Sequence, residues 1–255
     1  MSVNSFKDLF SKHSKVYAAS RPTYPTALYD FLASLPERRD VAWDCATGNG
    51  QAAVRLADYF RQVVASDASR AQIENAQQKS SVQYKVFSAE KADIKDKSVD
   101  LITVAQALHW FRFDGFYSEV RRVASKGAAI AAWTYGLHSV SPEVDGVTQR
   151  LYTDVLGGYW PAEVKHIETG YASIPFPFPQ IEAPSLKIEL EWDLPEMAAY
   201  LYSWSSVQKY MEEQKRDPVE MLHEDFASAW GDQATKRKVT WQLHVKAGRA
   251  DGHKA

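Results

Sequence analysis

The stretch AWDCATGNGQAAVRLA, Ala42 to Ala57, carries three structural signals in succession. A short apolar run stops at Asp44. Gly48 and Gly50 follow with one residue between them, and Ala53, Leu56, Ala57 and Phe60 then recur at helical spacing. The pattern predicts a strand, a tight turn and a helix. A second buried run, QVVASDAS, ends at Asp67 and completes a β-α-β unit. Beyond it come a helical stretch (SRAQIENAQQK), two strand-like runs (VQYKVFSA and VDLITVAQAL), a helix (FDGFYSEVRRVA) and a further strand (AAIAAWTYG). Strands alternating with helices of this length imply an α/β, doubly wound and mostly parallel sheet covered on both faces. Right-handed crossovers then bring the carboxyl ends of the strands to one edge, where such sheets bind ligands.

After Trp133 the pattern changes. Leu137 to Tyr171 reads as helices with loops, and prolines at 175, 177, 179 and 184 predict an extended linker that closes an insertion. SLKIELEWDL and RKVTWQLHVKAGR alternate like strands. Between them EMAAYLYSWSSVQKYMEEQ and Val219 to Trp230 have helical spacing, so the sheet is expected to gain two late strands. The expected organisation is one domain over residues 1–255: a cover at 1–30, a ligand-binding core at 31–136, a lid insertion at 137–183 and a sheet-completing part at 184–250.

With 45% apolar and 13% aromatic residues the chain can bury a large core, and its net charge of −2 without runs of like charge points away from nucleic acid and anionic membranes. A small-molecule partner is expected, with the chain a monomer or homodimer. Cys45 is the single cysteine, which excludes an intrachain disulfide framework and a cysteine-rich metal site. His138 and His166 lack partners at metal-ligand spacing, so no metal is expected. The first twenty residues hold no apolar stretch of signal-peptide length and no window suits a membrane span, which together read as a soluble, cytoplasmic protein.

Gly48, Gly50 and Ala53 satisfy G-x-G-x-x-[GA], and Asp67 lies 67 − 44 = 23 residues beyond Asp44, a spacing that suits an acid gripping ribose hydroxyls. A nicotinamide dinucleotide and S-adenosylmethionine (SAM) both contain that adenosine, and a glycine turn over a helix start serves either. Asp44 separates them. A carboxylate inside the turn repels the two phosphates of a dinucleotide, whereas the methionine end of SAM carries an ammonium that it attracts.

Further marks extend the pattern: YAASRPTYP (Tyr17 to Pro25), WDCATGNGQAA (Trp43 to Ala53), ASDAS (Ala65 to Ser69), SAE (Ser88 to Glu90), SVDLITVAQALHWF (Ser98 to Phe111), AAWTYG (Ala131 to Gly136) and WSS (Trp204 to Ser206). On these the chain resembles the class I SAM-dependent methyltransferases (type 11-like), in the small-molecule branch that includes the trans-aconitate methyltransferases, over about Tyr17 to Arg249. The resemblance implies a Rossmann-like sheet of seven strands with the last antiparallel, a helical insertion between strands 5 and 6, and SAM as cofactor. It places Asp44, Ala46, Gly48 and Gly50 around the methionine moiety and Asp67 on the ribose. Ala68, Ser88, Ala89 and Glu90 fall beside the adenine, Ala105 near the sulfonium, and Tyr17 in an N-terminal segment folded over the cofactor. Ala46 stands where the family's first glycine is usual, which suits a negative backbone angle, and the turn ASKGA lacks the frequent Pro-Gly-Gly.

Methyl transfer from a sulfonium is an in-line displacement, so alignment supplies much of the rate. A carboxylate acceptor arrives ionised; an amine, phenol or carbon acid must lose a proton. His109, directly after the fourth strand, is the candidate catalytic residue, as base or as hydrogen-bond donor. Trp110 is a candidate wall of the acceptor site, and Arg21 a candidate clamp for an acceptor carboxylate, with Tyr24 beside it. Trp133, Tyr135, Trp160 and Tyr171 are candidates for an aromatic lid, the first two also for substrate contact. Two other classes share part of the signature. An NAD(P)-dependent oxidoreductase explains the glycines and Asp67 but not Asp44 or ALHWF, and a non-catalytic SAM-binding protein keeps the turn but has no use for a lid.

Overall fold

In the computed structural model, which describes residues 21–251, the opening motif folds into β1 (Val41–Cys45), a turn and α2 (Gln51–Leu56), preceded by α1 (Thr26–Ser34). Then come β2 (Gln62–Asp67), α3 (Arg70–Glu74), β3 (Val82–Val86), β4 (Val99–Ala105), a 3-10 turn (Leu108–Trp110), α4 (Phe113–Val123) and β5 (Ala124–Tyr135). The insertion holds α5 (Pro142–Arg150), a π-helical turn (Leu151–Val155) and α6 (Lys165–Glu168). The chain closes with β6 (Gln180–Ile181), β7 (Leu186–Trp192), α7 (Leu194–Tyr202), α8 (Ser205–Gln214), α9 (His223–Trp230) and β8 (Arg237–Arg249).

The strands form one sheet in the order β3-β2-β1-β4-β5-β8, with β6 and β7 both paired to the outer side of β8. Neighbours from β3 to β5 run parallel, and β8 is antiparallel to β5, β6 and β7. Successive residues of the central strands enter different cores. Ala129, Ala131 and Trp133 of β5 join Leu28, Leu32, Leu56 and Trp230, while Ala128, Ile130 and Ala132 join Phe116, Val120 and Val123 of α4. Burial on both faces is why these strands read as unbroken apolar runs. It also fixes their carboxyl ends as one edge, along which Asp44 is the second-last residue of β1 and Asp67 and Ala105 terminate β2 and β4.

Three local expectations are corrected. The proline-rich stretch is not wholly a linker, because Gln180 and Ile181 pair with Gly248 and Ala247. Pro184, which has no N–H, lies in the gap before Leu186, so one strand position is filled by two segments. ASKGA is no turn but the start of β5. Four of its residues bulge opposite the single Asp100 between the pairs Val99–Ala124 and Leu101–Ala129, and Gly127 takes a φ of 74° there. Finally, the long helical pattern after Asp193 is two helices. Ser203 turns its hydroxyl onto the Tyr200 carbonyl (2.6 Å), and Trp204 takes extended angles before α8.

Candidate active site

The turn after β1 is built around two carboxylates. Asp44 is fully buried, and its two oxygens accept from the hydroxyls of Thr47 (2.5 Å) and Thr103 (2.8 Å), the latter on neighbouring β4. Burial pushes its carboxyl up to about 6 and nearby Asp67 adds to the rise; the hydroxyls and the Ala53 amide only partly offset it. Asp67 accepts from the backbone amides of Gly48 and Ser69 (2.9 Å each), which ties the end of β2 to the turn. The turn itself runs through left-handed backbone at Ala46 (φ 55°), Gly48 (φ 56°) and Gly50 (φ 81°). Ala46 therefore does not have the negative angle expected of it, and its methyl group carries a strain that glycine would avoid. Gly50 is constrained twice, since an added Cβ would also come within 2.2 Å of the Tyr84 hydroxyl.

Around this turn, exposed Ala68 follows β2, half-buried Ser88 and buried Ala89 follow β3, and half-buried Ala105 ends β4. Glu90 accepts the Arg112 backbone amide at the start of α4 (3.0 Å). Tyr17 lies outside the described residues.

A cavity of about 470 Å³ opens beyond the ends of β4 and β5. Its lining includes Arg21, His109, Trp110, Tyr135, Trp160 and Trp204, together with Gln106, Glu168 and His244. A cavity of that size lies in the range of small-molecule sites. His109 sits in the 3-10 turn, almost fully buried, with Nδ1 3.0 Å from the Tyr171 hydroxyl; burial and His166 depress it to about 3. Arg21 donates to the Ser203 carbonyl (3.3 Å) and lies over the Tyr200 ring. Trp160 packs at a tilt between Tyr152 and Trp204, with ring centres 4.6 and 5.6 Å away.

Not every residue singled out in the sequence reaches this cavity. Trp133 is fully buried in the core and Tyr24 meets it edge-on at 5.4 Å, so neither lines the cavity, and Trp133 belongs to no lid. Tyr171 is fully buried behind His109 rather than in a lid. Tyr135 and Trp160 do line the cavity. Gln106, Tyr152, Glu168, Tyr200 and His244 are cavity residues that sequence reasoning missed. Trp204 was visible only within WSS, with no sign of where it would fold. No group of three potential metal ligands occurs among the described residues, and no helix among them is long and apolar enough to cross a membrane.

Two carboxylates in one turn, the buried Asp44 raised in part by Asp67, suit an ammonium and a ribose diol better than a pyrophosphate. With one strand reversed in an otherwise parallel sheet, this site defines a class I SAM-dependent methyltransferase fold. Residues 43–132 match the family model of a methyltransferase domain. A protein of Dictyostelium discoideum named as a methyltransferase is 36% identical over 229 residues, spanning 88% of this chain and 87% of that protein. A solved structure from Anaeromyxobacter dehalogenans, described as a type II methyltransferase, is 43% identical with a TM-score of 0.86, covering 91% of this chain and 99% of that one. A methyltransferase structure from Anabaena variabilis, at 16% identity and TM-score 0.53 over 88% of this chain and 98% of that one, shares the fold. The chain belongs to the methyltransferase family.

Proposed function

We propose that the protein transfers a methyl group from SAM to the carboxylate of a small organic acid. When bound, SAM supplies a methyl carbon activated by its sulfonium and takes back the sulfur–carbon electron pair. Asp44, Gly48 and Gly50 would hold the methionine end and Asp67 the ribose, while Ala68, Ala89 and Glu90 border the adenine. The chain's part is positioning and exclusion of water. The cavity beside Ala105 receives the acceptor between Trp110, Trp160 and Trp204, and Arg21 supplies a cationic fork for its carboxylate. The juxtaposition of the two-acid turn with a walled cavity that contains Arg21 carries this reading. The resemblance of motifs such as ALHWF to the trans-aconitate branch supports the organic-acid class.

The test is a methyl-transfer assay with radiolabelled SAM against panels of organic acids, phenols and amines. Methyl esters formed from acids alone are expected, and Arg21→Met should raise KM for the best acid at least tenfold while changing kcat less. Transfer confined to amines or phenols would replace the carboxylate reading.

A further inference from the structure

Tyr171 follows the short helix α6 in a conformation that few tyrosines adopt. Its φ is 64° and it succeeds Gly170 at 56°, a run closed by a bond from the Tyr171 amide to the His166 carbonyl (2.8 Å). A bulky residue in left-handed backbone is a costly arrangement, of the kind that accumulates where a side chain must be aimed. Here the side chain is aimed at His109, 62 residues earlier in the chain.

The hydroxyl is sealed from solvent, and burial pushes its ionisation well above the ordinary tyrosine range, so it keeps its proton. A buried O–H has to donate. The hydroxyl lies 3.0 Å from His109 Nδ1, and the backbone amides of Leu108 and His109 face the same oxygen as donors, which leaves the hydroxyl's own proton directed at Nδ1. Nδ1 must then be bare, and in a neutral imidazole the proton sits on Nε2. Nε2 has no protein partner among the described residues, is not sealed off, and belongs to a side chain that lines the cavity.

We propose that Tyr171 is a positioning residue that holds His109 as the Nε2–H tautomer, so that His109 meets the acceptor as a neutral hydrogen-bond donor and not as a base. This deepens the methyltransferase reading and rests on it. A donor in that place serves an oxygen that is already ionised. One carboxylate lone pair forms the new O–CH3 bond while the carbon–sulfur pair stays on sulfur, and no proton has to leave. The other titratable or charged groups facing this end of the cavity are His166 and Glu168 from the α6 segment, Tyr152, His244 of β8 and Arg21. Glu168 takes its bond from the Tyr152 hydroxyl (2.8 Å), whose ionisation burial and Glu168 push above the ordinary tyrosine range.

The test is long-range nitrogen–proton NMR on the full chain labelled at its seven histidines, with and without S-adenosylhomocysteine, His109 being assigned by loss of its signals in His109→Gln. The expected His109 pattern is the Nε2–H tautomer, without titration between about pH 5.5 and 8. Tyr171→Phe is expected to give a tautomer mixture while the S-adenosylhomocysteine Kd changes less than about twofold. An Nδ1–H pattern in the wild-type protein, or a His109 titration inside that window, overturns the proposal without requiring any variant at Tyr171 to fold. An unchanged tautomer in folded Tyr171→Phe overturns the role of Tyr171. Failure of S-adenosylhomocysteine to bind at all contradicts the methyltransferase reading instead, and the two failures are read from different signals.

Discussion

Asp44 and Ala46 show at the residue scale how the turn trades stability for a site. Asp44 is a case of a carboxyl raised on folding: the native state favours its protonated form, so its contribution to stability is largest below the ordinary aspartate range and falls as pH rises toward about 6. A bound ammonium reverses the preference by favouring the carboxylate. Affinity for S-adenosylhomocysteine is therefore expected to weaken as pH falls below about 6, approaching tenfold per unit, and Asp44→Asn should bind more weakly with that pH dependence removed. Calorimetry between pH 5 and 8 checks both, and a flat profile in the wild-type protein contradicts the assignment. Ala46, at a φ of 55°, carries a cost that glycine avoids, partly offset by the greater freedom of an unfolded glycine. Ala46→Gly is expected to stabilise by about 0.5 to 1 kcal/mol, a rise in Tm of roughly 1 to 3 °C. Asp67→Ala removes the acceptor of two backbone amides as well as the ribose partner, so SAM affinity should fall at least tenfold with some loss of stability. His109→Ala should leave S-adenosylhomocysteine binding unchanged and lower turnover, because no described contact of its ring reaches the turn.

At the scale of elements, the glycine turn, β3 and α2 form one unit held by close approach. The Tyr84 hydroxyl donates to the Gln77 carbonyl directly over Gly50, and Gln77 in turn donates its amide to the Asn49 carbonyl (2.9 Å). Gly50→Ala meets both an unfavourable φ of 81° and that hydroxyl, and is expected to destabilise by about 2 kcal/mol or more. Adding Tyr84→Phe should recover part of the loss and leave the backbone cost, a pattern that denaturation of the single and double variants would reveal. Full additivity of the two changes would show that the contact is unimportant. The β-α-β units were legible because a buried strand and an amphipathic helix write different periods into the chain. The bulge at Gly127 and the break at Pro184 were not, since both depend on which strand lies alongside: Glu37 and Asp251 crowd Gly127, and β8 supplies the partners of Gln180 and Ile181.

Across the whole molecule, the cofactor edge was readable and the acceptor cavity largely was not. Asp44, Gly48, Gly50 and Asp67 are close in sequence and sit at the ends of neighbouring strands, so topology alone brings them together. The cavity draws Gln106 from β4's end, Tyr152 and Glu168 from the insertion, Trp204 from before α8 and His244 from β8, and no local pattern announces that meeting. Trp133 and Tyr171 misled because an aromatic residue near a site serves core and lid equally well until packing decides, and packing buried both. The account stands on the cofactor. The measurement that tests it most directly is calorimetric titration of the purified chain with SAM, S-adenosylhomocysteine and NADH in parallel. Saturable one-to-one binding of the first two with no heat from NADH is the predicted result; binding of NADH alone would contradict it and give the turn at Gly48 and Gly50 to a dinucleotide.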